Sequence, residues 1–77
     1  MGKKRRERRR FRLEQARMRK ELSAIRRELE LSYHRFDELC DPMQLDACIF
    51  EINALRAKYS CAVHDMRTLL QSANPIP

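Results

Sequence analysis

The sequence predicts an all-α fold, an antiparallel two-helix hairpin of coiled-coil type that self-associates into a four-helix assembly. Three observations predict it. Gly2 is the only glycine, and no proline stands before Pro42 or between Pro42 and Pro75. Apolar residues recur at alternating spacings of three and four through both halves of the chain. One strong turn signal, "CDP" at residues 40–42, divides that pattern in two.

The first helix is expected over about residues 11–39. Arg, Glu, Leu and Ala dominate there and Ile25 is the only β-branched residue, so little opposes helical backbone. With Leu22, Leu29 and Phe36 as heptad a, Met18, Ile25 and Leu39 take d, and only Gln15 and Ser32 interrupt the seam. Arg10, Glu14, Arg17 and Glu21 follow at spacings of four, three and four, which pairs opposite charges along one helix face. Residues 1–10 are expected to fray into a basic arm, because like charges crowd there.

The turn occupies residues 40–42. Pro42 cannot extend the first helix but suits the opening position of the second. Asp41 is a good N-cap, and Gln44 stands where a capping box places Glu or Gln. The second helix then runs over about residues 42–72, until "NPIP" leaves a tail at 74–77. Leu45, Ile52, Tyr59 and Met66 take heptad a, and Cys48, Leu55, Ala62 and Leu69 take d.

The neighbouring e positions hold Ile49, Arg56, Val63 and Leu70. A third apolar position per heptad makes a stripe wider than one facing helix covers. A second copy of the chain is the economical cover; in a monomeric hairpin, Arg and Lys stems would serve instead. Phe50 falls at f, the outward position, and reads either as a folded-over surface aromatic or as an interface anchor. Ile49, Phe50, Val63 and Leu70 are therefore the candidate interface residues.

Charge is unevenly divided. Residues 1–20 hold eleven Lys/Arg against Glu7 and Glu14, whereas residues 21–77 hold six basic against nine acidic residues. Lys3, Lys4, Arg5, Arg6, Arg8, Arg9, Arg10 and Arg12 form the candidate nucleic-acid-binding cluster. Arginine forks pair bidentately with phosphate, so the arm suits nucleic acid or the ribosome. An acidic protein partner or a solubilising tail is the competing reading. Membrane attachment is disfavoured, since Phe11 and Leu13 are the only sizeable apolar groups before Met18.

The chain is 36% charged with a mean hydropathy of −0.72, and it has no apolar run of membrane-spanning length and no secretory h-region. Cys40, Cys48 and Cys61 are odd in number and lie in or beside helical patterns, which suggests reduced thiols and a cytoplasmic location. No metal or cofactor is expected. Cys61 and His64 share a helix face with no further ligand level with them, and His34 at f points away from Cys48 at d. Glycine-rich phosphate loops are excluded, and the serines lack a strand–turn context. Asp37, Glu38, Asp41 and Asp46 near the turn read as capping and solvation. No enzyme is expected.

The stretch "DPMQLDACIFEINALRAKYSCAVHDMR" resembles the YaaL-like family of small bacterial proteins, a domain of unknown function. Asp41–Pro42, Ile49-Phe50-Glu51-Ile52, Ala54 and Ala57-Lys58-Tyr59 carry the resemblance, which covers about residues 36–70. It implies a short helical protein of Gram-positive bacteria with no assigned activity or cofactor. Two functional readings result: a nucleic-acid or ribonucleoprotein accessory protein working through its arm, or an adaptor that binds proteins through the apolar face of the second helix.

Overall fold

The computed structural model describes residues 2–73 and holds two helices, α1 (Gly2–Glu38) and α2 (Pro42–Ala73), joined by Leu39–Asp41. The molecule is a rod of 61 × 22 × 13 Å with a radius of gyration of 17.8 Å. A compact chain of this length would have a radius near 11–12 Å. Thirty-seven helical residues rise about 55 Å, so α1 sets the length of the rod.

Residues 2–10, expected to fray, are helical instead. Arg, Lys and Glu favour helix and nothing in this stretch breaks one. Glu7 also has Lys3, Lys4 and Arg10 at helical spacing, which relieves part of the crowding. The expected tail at 74–77 lies outside the described residues.

The turn is built as its residues suggest. Asp41 Oδ1 accepts a hydrogen bond from the Met43 N–H at 2.9 Å, and the Asp41 carbonyl accepts the Leu45 N–H at 2.9 Å to open α2. Pro42 occupies the first helical position, where its missing N–H costs nothing. Gln44 is exposed and makes no hydrogen bond among the described residues, so Asp41 caps alone. A bond of 3.3 Å from the Leu39 N–H to the Phe36 carbonyl tightens the last turn of α1.

The helices meet along the heptad seam, and their contacts fit a hairpin. On α1, Phe11, Gln15, Met18, Leu22, Ile25, Leu29, Ser32 and Phe36 are all buried or half-buried, as is Leu39 just beyond its end. On α2, Leu45, Cys48, Ile52, Leu55, Tyr59, Ala62, Met66 and Leu69 match them. The deepest apolar groups are Ile25, Cys48, Ile52, Leu55 and Ala62.

The two seam positions that looked like interruptions are covered too. Ser32 is 0% exposed. Its hydroxyl donates to Glu51 Oε1 at 3.3 Å, and its carbonyl accepts the Cys48 thiol at 3.3 Å. Arg35 holds the other carboxylate oxygen of Glu51 at 3.2 Å. A small residue with a satisfied hydroxyl lets the helices approach closely here, and the polar pairing disfavours a slipped register.

Replacing Asp41 with Ala should lower stability by about 1 kcal/mol. Leu55→Ala, which empties a core position, should cost about 2–5 kcal/mol. Thermal unfolding followed by circular dichroism at fixed protein concentration distinguishes the two.

Candidate functional site

The eight candidate basic residues, Lys3, Lys4, Arg5, Arg6, Arg8, Arg9, Arg10 and Arg12, occupy the first turns of α1 and all are exposed. A helix turns by about 100° per residue, so Lys4 and Arg8 fall on the side toward α2, with the others distributed around the rest of the cylinder. Lys4 and Arg8 place charged groups at seam positions, and the last covered seam residue of α2 is Leu69. Beyond Phe11 the helices border an open hollow lined by Lys4, Glu7, Arg8, Phe11, Arg12, Leu70 and Ser72.

Continuous helix through residues 2–38 reveals a feature that the reading of an arm missed. Arg5, Arg12, Arg19 and Arg26 share heptad position e, while Glu7, Glu14, Glu21 and Glu28 share g. The signal is two sets of residues repeating every seven, and it forms a face only when residues 2–10 are helical. All four arginines are exposed, and from Arg5 to Arg26 they span about 32 Å of helix.

None of the four joins an ion pair. The described residues hold two such pairs, Glu14–Arg17 and Arg35–Glu51. Arg26 donates instead to the Tyr59 hydroxyl at 3.3 Å, which raises its already high pKa. The basic surface therefore extends along the rod beyond the first turns.

Charge divides by helix. α1 carries fourteen Lys/Arg against seven Asp/Glu, whereas α2 carries three against three. The first turn of α1 has no acidic residue, so its cations add to the positive pole of the helix dipole.

The candidate interface residues behave differently from one another. Val63 is half-buried, whereas Ile49 and Leu70 stay exposed. Phe50 is 75% exposed and projects from the side of α2 away from the seam. Cys48 is buried, while Cys40 and Cys61 are exposed free thiols. Among the described residues no group of three or more His, Cys, Asp or Glu converges as a metal site would require. No described helix is long and apolar enough to cross a membrane. In comparisons with known proteins, no family model, curated protein or solved structure matches the chain.

The Glu14–Arg17 pair gives a test of the charged surface. The hydrogen bond from Arg17, aided by its charge, holds the Glu14 carboxyl below its ordinary value near 4.5. A depressed carboxylate pKa means that the pair supports the helix above that ordinary value and stops doing so as pH falls through the lowered one. In an NMR titration Glu14 should have a depressed midpoint that rises in Arg17→Gln, with little change in overall stability because the pair is exposed.

Proposed function

We propose that this chain is an antiparallel, self-associating helical hairpin of the cytoplasm that works without catalysis. In this reading it binds nucleic acid, free or within a ribonucleoprotein, through the arginine-rich edge of α1. The observation that carries it is the density of unpaired cation: eight basic residues between Lys3 and Arg12, with Glu7 the one acid among them. Those ten residues rise about 14 Å, close to one positive charge per 1.7 Å. Duplex DNA carries one negative charge per ~1.7 Å of axis. Phosphates at this helix end would also relieve the repulsion between the cations and the helix dipole.

The composition argues for backbone contact, since residues 2–12 contain no Asn, Gln, Ser or Thr and Phe11 is turned toward α2. The resemblance to the YaaL-like family agrees with a small helical bacterial protein and supplies no ligand. A second reading, a protein-binding adaptor, draws on the exposed outer face of α2 around Phe50.

Binding to duplex DNA, single-stranded DNA and RNA, measured against salt, tests the proposal. About five phosphate contacts give a log–log slope near −4 to −5 on duplex DNA. Arg6 and Arg9 fall at heptad positions f and b, off the seam, so changing both to Glu should sharply weaken binding without loss of helicity. Arg12→Glu with Arg19→Glu should weaken binding and reduce the slope by about two. Absence of binding to all three polymers near physiological salt would overturn the reading.

A further inference from the structure

α2 has a second apolar stripe outside the seam, whose Ala57 and Cys61 end borders a hollow shared with Glu21, Ala24 and Glu28 of α1. Met43, Ala47, Phe50, Ala54, Ala57 and Cys61 succeed one another at spacings of four, three, four, three and four, the same alternation that builds the seam with α1. All six are exposed, Met43 at 82% and Phe50 at 75%, and none carries a charge. A helix with apolar stripes on two faces is built to touch two neighbours, and α1 supplies only one.

We propose that a second copy of this chain covers the stripe, with the two α2 helices antiparallel and a two-fold axis passing beside Ala54. The inference rests on the self-association part of the reading above and is independent of its nucleic-acid part. Its support is a self-complementary register. With Ala54 facing Ala54 of the second copy, Ala47 is level with Cys61, Phe50 falls within one residue of the level of Ala57, and Met43 within one residue of the level of His64. Each large side chain meets a smaller or flatter one, which allows close packing, and a two-fold axis repeats every pair.

Charge agrees with that register. The same alignment brings Lys58 within one residue of the level of Glu51 in the second copy, twice by symmetry, beside a carboxylate that also holds Ser32 and Arg35 of its own chain. Lys58 joins no ion pair within the described residues. Neutral α2 at the centre also keeps the positive α1 helices on the outside. The rival face, through Ile49, Val63 and Leu70, borders Arg12 at its Leu70 end and would crowd that basic end against a second copy. In the proposed dimer the two basic ends point in opposite directions. They are separated by roughly 65 Å, from about 22 residues of helix rise on each side of the axis.

Sedimentation equilibrium of the full chain, without nucleic acid and in 0.5 M salt, tests the inference. The expected result is a dimer that Phe50→Asp dissociates, weakening self-association by roughly 30-fold or more. Helicity should be unchanged, because Phe50 makes no part of the seam. Ile49→Asp with Leu70→Asp should leave the dimer intact. In Ala54→Cys, mild oxidation should link two copies through residue 54, identified by peptide mapping, since the axis places that position beside itself.

A chain that stays monomeric at all concentrations would overturn both this inference and the self-association it rests on. A dimer that survives Phe50→Asp, or that Ile49→Asp with Leu70→Asp dissociates, would overturn the α2 face alone.

Discussion

A single helix–helix seam holds this molecule together, and everything else depends on its register. With two elements there is no third layer to correct a slip, so the fold needs positions that tolerate only one alignment. Ser32 supplies one. A fully buried hydroxyl that donates to Glu51, beneath a carbonyl that accepts the Cys48 thiol, loses both partners if either helix shifts by a turn. A buried polar group left unpaired costs about 1–3 kcal/mol, a large fraction of the stability of a small domain. The Asp41 cap acts in the same direction from the turn, by fixing where α2 begins.

The seam also explains where the charge can be carried. Apolar rungs run from Leu39 back to Phe11, and beyond them Arg8 and Lys4 occupy positions where no rung is possible. The first turns of α1 are thereby left out of the core, and their cations remain hydrated and accessible. A helical backbone spaces these cations regularly along one edge, as a frayed arm would not. The Arg5–Arg26 rail is a product of that regularity.

α2 has the opposite character. It is neutral overall and apolar on two faces, so it serves as core on one side and exposes Phe50 and Met43 on the other. The molecule thus separates most of its positive charge and its exposed apolar surface onto different helices. Covering the Phe50 face would leave the α1 edge free, so the proposed assembly and the proposed polyanion binding are compatible.

The two helices, the turn and the seam are legible in the order of residues alone. Heptad spacing and the Asp41–Pro42 pair are local signals, and helix periodicity converts them directly into faces. How the exceptions are resolved depends on contacts that form when the chain folds back. Ser32 looked like a break in the seam because its partners, Glu51 and Cys48, lie sixteen to nineteen residues away and become neighbours only after the chain folds back. The helical state of residues 2–10 was hidden for a different reason. Charge repulsion and helix propensity oppose each other there at similar size, and helix already formed from Phe11 onward removes the cost of nucleation. Phe50 could be assigned to the outward position from its number alone. That it lies in a second stripe with Ala47, Ala54, Ala57 and Cys61, all left exposed, followed only once α1 had taken the seam face.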